Sequence, residues 1–289
     1  MTVTHIVERV RQPGPLAALL LLCTYVATMC HGLMFFDAGE LALVGQQLGL
    51  GHPPGQPAYT ILLGLFAVTT PSNPLLGMTF LSALCAALCA LPVDKLMLRA
   101  GVQHAGIRFL LLVACGYLYP VWDQATRIEL YSVMSLGMLV TLNYAARILD
   151  DGDHTTRTWL SLGLGVGVTV SINAVHGLAL ALGIGLGALP ALYSLGIGRL
   201  LRSTATAFVG SLVGLLPYLY VYWVQGKTDR FVWGDHGTSQ GTWAYLSGAD
   251  YAHTNHTAWS LVPSHAVDWL IWVQSTGGGL LCILGLLGL

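Results

Sequence analysis

The apolar residues of this chain gather into long, nearly uncharged runs, and no other feature limits its fold as strongly. Segments 15–34, 75–97, 107–121, 131–149, 158–175, 177–195, 203–224 and 267–289 approach or exceed the roughly 18 apolar residues that mark a membrane span. Left unbroken, residues 158–195 would form one helix of about 57 Å, far longer than a hydrocarbon core of about 30 Å. A hairpin break at Asn173–Gly177 is therefore expected. Residues 58–70 are too short to span and read as a re-entrant or interfacial piece. Charged residues make up only 9% of the 289, against roughly 25% in soluble domains. A water-soluble enzyme, a disordered chain and a nucleic-acid binder with a basic face are thereby excluded. The expectation is an all-α, polytopic bundle of about eight spans forming a single domain over residues 1–289.

Charge orients such a bundle. With the N-terminus in the cytoplasm, Arg9, Arg11, Lys95, Arg99, Arg108, Arg147, Arg157, Arg199 and Arg202 all fall on the inner side. Arg127, Lys227 and Arg230 remain outside, so the positive-inside rule selects this orientation. Arg9 and Arg11 before an apolar run imitate a signal peptide, but no clear cleavage site follows, which predicts an uncleaved first helix. The six cysteines lie in or beside apolar runs without a CxxC pair, and they read as packing residues.

This orientation gathers the reactive groups at the outer face: Asp37, Glu40, His52, Asp123, Arg127, Glu129, His176, Asp229, Arg230 and Asp235. Ionisable groups at membrane depth mark a functional site by default. The alternative for any one of them is a solvated loop charge. Residues 35–74 form the first outer loop with the re-entrant piece, and 225–266 form an outer cap. In FFDAGELALVGQQLGLGHPPGQPAY (35–59), Asp37 and Glu40 stand at i, i+3 on one helix face, where capping the helix is their structural alternative. Leu41, Val44 and Leu48 repeat at helical spacing, which predicts a short interfacial helix with Gln46 and Gln47 towards water. His52 precedes Pro53-Pro54, a stiff stretch of backbone.

DAGE followed by HPPGQPAY resembles the D-S-G-E and H-P-P-G-Y-P-L-Y signatures of a bacterial membrane family related to protein O-mannosyltransferases, within the C-type glycosyltransferase superfamily. WDQATRIELYSV (122–133), LPYLYVYW (216–223) and WGDHGTSQGTWAYLSGADY (233–251) resemble further segments of that family in the same order. Ala38, Gln56, Ala58 and His236 depart from its pattern, and the chain ends inside an apolar run where the family continues with more helices and a soluble tail. The resemblance implies a C-type fold in the bacterial inner membrane. It also implies a sugar, mannose by resemblance alone, moved from a polyprenyl-phosphate donor to an acceptor hydroxyl of a protein or glycan at the periplasmic face.

The resemblance places the catalytic acid at Asp37, with Glu40 beside it. Phe35 and Phe36 are expected to exclude water there and so raise the basicity of the carboxylate. A departing phosphate calls for cationic or hydrogen-bonding partners. Arg127 is the first choice, with ion pairing to Asp123 or Glu129 as its alternative, and Arg230 and His52 follow. Glu129, Tyr131, His176, Trp233 and Asp235 complete the expected donor site, with a cap at the hairpin as the other reading of His176. The outer tryptophans read chiefly as an interfacial belt. His253 and His256 have no third ligand at matching spacing, so no metal or other cofactor is expected, and a divalent ion stays open. A lipid-linked sugar transporter and a non-catalytic assembly subunit are the rival readings. The one-sided acids and the lack of a repeated half disfavour the transporter.

Overall fold

A computed structural model describes residues 12–193, 196–234, 238–249, 267, 268 and 271. Among them every regular element is a helix, and the only β pairing is an isolated bridge between Leu50 and Val232. The chain begins with α1 (Pro13–Thr28), the short α2 (Ala38–Gln47) and α3 (Pro57–Ala67). Next come α4 (Pro74–Leu88) running into α5 (Ala90–Arg99), then α6 (Ala105–Gly116) and α7 (Tyr119–Ala125). The long α8 (Tyr131–Leu149), α9 (Thr156–Ile172) and α10 (Ala174–Tyr193) follow, then α11 (Ile197–Gly214), α12 (Tyr218–Val224) and α13 (Ser239–Ser247).

Each of the first seven expected spans coincides with a helix or a pair of consecutive helices, and the break near Asn173 is real, with Asn173 the residue between α9 and α10. All but three residues of the eighth expected span lie outside the described residues. Among the described residues three helices suffice by length and composition to cross a membrane: Pro74–Arg99, Tyr131–Leu149 and Ile197–Val224. The pair α6 and α7 makes a fourth if its 68° bend lies within one span, while α1, α3 and Ala174–Ala188 are shorter apolar helices.

Polar contacts fix how the early helices alternate. At the start of α1, Gly14 N–H donates to Asp94 Oδ2 of α5 at 3.2 Å, and past its other end the His31 carbonyl accepts from Asn73 just before α4 at 3.2 Å. Arg108 at the start of α6 donates to Asp94 Oδ1 at 2.6 Å, and Tyr25 reaches the Gly116 carbonyl at the far end of α6 at 2.7 Å. One end of the bundle thus holds Asp94, Arg108, Arg99–Asp151 and Arg147–Asp153. Its ion pairs satisfy charges that an apolar environment would otherwise penalise heavily. The other end holds Asp37, Glu40, His52, Arg127 and Glu129. Between them lies an apolar core in which Leu41, Leu63, Met78, Ile128, Val133 and Ile172 are buried together. α2 turns much of its apolar stripe into the protein. Leu41 and Val44 pack inside the protein, and Gln46 and Gln47 face outward as expected.

The tightest helix pair is α9 with α11, which run side by side in the same direction. A Cβ on Gly163 would lie 1.8 Å from the Ala207 carbonyl oxygen, and one on Gly210 would lie 2.3 Å from that of Leu160. In lipid, where burial gives helices no extra drive to associate, such small residues let backbones approach and gain dispersion contact. Gly163→Leu should therefore destabilise the fold by about 1–3 kcal/mol or more. Gly183→Leu, where an added Cβ meets nothing within 4 Å, should not. Thermal unfolding of both variants in detergent measures the difference.

Candidate active site

α2 ends at Leu48, whose left-handed backbone (φ 51°) turns the chain into the 49–56 loop. Glu40, one turn into α2, points back at that loop. Its Oε1 accepts from the His52 amide, and its two oxygens lie 3.1 and 3.3 Å from His52 Nδ1. On the other side of the ring, Gln56 Nε2 lies 3.1 Å from His52 Nε2. In the neutral ring these contacts are met with Nδ1 donating to the carboxylate and Nε2 accepting from the amide, whereas a protonated ring donates from both nitrogens and calls for the Gln56 oxygen at Nε2. The arrangement needs Gly51, because a Cβ there would come within 2.9 Å of Glu40 Oε1.

The stretch from α12 to α13, which we call the cap, holds the same loop from the opposite side. Leu50 N–H donates to the Phe231 carbonyl at 2.9 Å and Trp233 N–H to the Leu50 carbonyl at 3.0 Å. Gln47 Oε1 accepts from the Phe231 amide at 2.6 Å. Tyr220 of α12 donates to the Gly49 carbonyl at 2.9 Å, and the buried Tyr245 of α13 donates to that of Gly51 at 2.8 Å. Gly55, at φ +79°, presents bare backbone to the Tyr245 ring, where a Cβ would stand 2.4 Å from the phenol oxygen. Segments almost 200 residues apart in sequence therefore meet around residues 49–55.

Beside them the α7–α8 turn carries the third group. Arg127 Nη2 lies 3.1 Å from Asp123 Oδ2 and 3.6 Å from Glu129 Oε1, and the Phe36 ring covers its guanidinium at 5.4 Å. Its Nε is buried without a hydrogen-bond partner among the described residues. Only 4% of the Glu129 side chain is exposed. Burial raises its carboxyl above the ordinary range, the Arg127 charge works against that, and Asp37 adds to the rise. Ser82 fixes the Glu129 backbone, donating to its carbonyl at 3.2 Å.

Asp37 sits at the N-cap position of α2 and makes no capping hydrogen bond through its side chain, so the structural alternative of a helix cap is not realised. The carboxylate is exposed. Its negative charge raises the pKa of both His52 and Glu129, which places it electrostatically between the two clusters. One expectation fails here. Phe35 and Phe36 are each 84% exposed and do not shield Asp37; Phe36 caps Arg127 instead. The Glu40 carboxylate is committed to the His52 amide and ring.

The remaining expected residues divide clearly. His52 is no free donor for a phosphate, since both ring nitrogens are engaged within the protein. Arg230 pairs with Asp229 at 3.0 Å, donates to the Leu48 carbonyl and lies 5.1 Å over the Trp223 ring, so it staples the cap to α2. Trp233 meets the His52 ring edge-on at 6.4 Å. Asn173 Oδ1 caps α10 by accepting from the His176 amide at 3.1 Å and from its Nδ1 at 2.8 Å, and the His176 ring faces Tyr131 at 6.5 Å. Asp235, His253 and His256 lie outside the described residues. Gln56, Gly51 and Tyr245 are the residues that sequence reasoning missed as site builders. Gln56 had stood out only as a departure from a motif, and Gly51 only as one glycine among 35. Among the described residues, no three of His, Cys, Asp and Glu are arranged to hold a metal ion.

The Glu40–His52 pair carries a definite pH signature. Burial opposes ionisation of Glu40, but the His52 ring and amide bonds outweigh it and hold the carboxyl below its ordinary value. The bond to Glu40 raises His52, burial opposes the rise, and the charges of Glu40, Asp37 and Glu129 add to it. The Glu40 contribution is complete above its unfolded pKa and is lost as pH falls through the lower folded value. The His52 contribution is complete below its unfolded pKa and is lost as pH rises through the higher folded value. Wild type should therefore exceed Glu40→Gln most between about pH 4.5 and 6.5, by about 1.5–3 kcal/mol, with the gap narrowing on both sides. Unfolding temperatures of the two proteins across pH 3–9 check this.

Comparison with known proteins joins these observations. The family model of the protein O-mannosyl-transferase TMEM260 N-terminal domain matches residues 37–190, from the candidate acid through α10. Protein O-mannosyl-transferase tmem260 of Dictyostelium discoideum is 24% identical over 252 residues, covering 81% of this chain and 30% of that protein. The chain thus spans less than a third of the length of this curated relative. No solved structure matches it. With more than half of its residues matched, and with Asp37, the Glu40–His52 loop and the Arg127–Glu129 turn all inside the match, the chain belongs to the TMEM260 N-terminal domain family.

Proposed function

We propose that this chain carries the catalytic end of a membrane glycosyltransferase of the O-mannosylation type. It would move a sugar, mannose by family, from a polyprenyl-phosphate carrier to a hydroxyl of a protein Ser or Thr. The observation that carries the reading is a carboxylate, Asp37, that makes no structural bond among the described residues and stands beside a loop locked from two sides and an arginine held by two acids. In the proposed reaction the acceptor hydroxyl gives its proton to Asp37 as its oxygen bonds the anomeric carbon. The bond from that carbon to the phosphate oxygen breaks, and the lipid phosphate leaves. A single displacement of this kind inverts the anomeric centre. Arg127 offers positive charge to the departing phosphate, and Asp123 and Glu129 hold its fork in place. Glu40 and His52 are positioning residues in this reading, since neither has a free group to present.

The reading includes a C-type bundle of about eight spans with the N-terminus inside and the reactive end at the outer, periplasmic surface. Support comes from the concentration of Asp37, Arg127 and Glu129 at one end of the bundle and of the Asp94–Arg108 and Arg147–Asp153 pairs at the other. Cysteines placed at 154 and 202 should resist a membrane-impermeant thiol reagent in intact cells, while one at 238 should react. Labelling at 154 or 202, or none at 238, would reverse the orientation.

Asp37→Asn tests the chemistry. A cap would tolerate Asn, which caps helices about as well as Asp. A general base would not, and transfer should fall at least about 100-fold while fold and donor binding persist. Turnover near wild type in a folded Asp37→Asn protein would remove Asp37 from the mechanism.

A further inference from the structure

At the end of the bundle away from Asp37, a cavity of about 350 Å³ opens between α4–α5 and α8. That volume lies within the roughly 300–1,000 Å³ of ligand pockets. Both flanking helices belong to stretches apolar and long enough to cross a membrane. Their lining stripes are graded in the same sense. Leu88 and Leu91 lead to Lys95 and Arg99 on one side, and Leu136 and Val140 lead to Arg147 on the other. These positions recur every three or four residues, so each set lies on one helix face. Asn143 donates to the Pro92 carbonyl at 3.0 Å and ties the two stripes together. From Tyr131, beside the candidate active site, to Arg147 is about 24 Å along α8.

The charged residues that line the cavity are all cations, Lys95, Arg99 and Arg147. Asp150, Asp151 and Asp153, just after α8, pair with the two guanidinium groups from outside the lining and leave Lys95 as the uncompensated charge of the mouth. Lys95 is exposed and has no ion-pair partner among the described residues. An apolar trough whose rim holds the unpaired Lys95 beside two ion-paired guanidinium groups fits a molecule with an acyl chain at one end and a net negative phosphate at the other. A zwitterionic headgroup would bring its own cation against the same rim, which like-charge repulsion disfavours. We propose that this cleft is a binding site for an anionic phospholipid, its chain against Leu88, Leu91, Leu136 and Val140 and its phosphate at Lys95 and Arg147. Basic recesses between spans at one membrane face are suited to such headgroups.

Purified protein in neutral detergent would be titrated with phosphatidylglycerol, with phosphatidylcholine of the same chains, and with glycerol 3-phosphate. Bound lipid is read by native mass spectrometry and stabilisation by unfolding temperature. Phosphatidylglycerol should bind and raise the unfolding temperature, and the other two should not. Lys95→Gln should weaken that binding about five-fold. Val140→Trp, which fills the trough at constant charge, should weaken it as well. Equal binding of phosphatidylcholine, equal stabilisation by glycerol 3-phosphate, or unchanged phosphatidylglycerol affinity in Lys95→Gln would overturn the proposal. Lys95 is exposed, so that variant decides even where Val140→Trp does not fold.

Discussion

A carboxylate that bonds both the backbone and the ring of one histidine organises the reactive end of this protein. Glu40 reaches from α2 to the His52 amide and imidazole, and in doing so closes the loop that α2 itself begins. A loop of this kind, rich in glycine and proline, has few side chains with which to bury itself. Without a lock it would pay the conformational entropy of ordering with little return. Hydrogen bonds to an ionised acceptor are roughly twice as strong as neutral ones, and one carboxylate supplies several here. Tyr245, Tyr220 and the Leu50–Val232 bridge complete the lock from the cap. Asp37, one turn before Glu40, is thereby set at the edge of a rigid surface, its carboxylate without a bond among the described residues.

The rest of the bundle answers to a different constraint, which is how polar groups survive in an apolar setting. Hydroxyls inside the helices turn back on their own backbone, as Thr141 does to Gly137 and Thr169 to Gly165. Arg108, buried against α5, satisfies Asp94 and the carbonyls of Val102 and Gln103. Glycines at the α9–α11 contact then allow close packing, and Ser211 and Ser171 bridge the two helices by donating to the Gly163 and Gly214 carbonyls. Polar chemistry is confined to the two ends, the ionic pairs at one and the reactive cluster at the other.

Helix placement was legible from the sequence because it depends on local composition. The run of apolar residues 158–195 and its break near Asn173 follow from the length of a helix alone, and α9 and α10 fall where that arithmetic put them. The residue types of the site were legible too, since acids and a histidine in an apolar chain need a reason. Their roles were not. Spacing of i, i+3 paired Glu40 with Asp37, but the actual partner, His52, lies twelve residues away across a turn that spacing cannot foresee. Phe36 looked like a shield for its neighbour and instead covers Arg127, some ninety residues on. Tyr245, about two hundred residues from Gly51, carried no local signal of its contact.

Hydrogen exchange over residues 48–56 tests the two-sided lock most directly. If the loop is held jointly by Glu40 and by the cap, its amides exchange slowly in the wild type and speed up in both Glu40→Gln and Tyr245→Phe, while α8 and α9 keep their protection. A loop that exchanges as slowly in either variant as in the wild type would contradict the account.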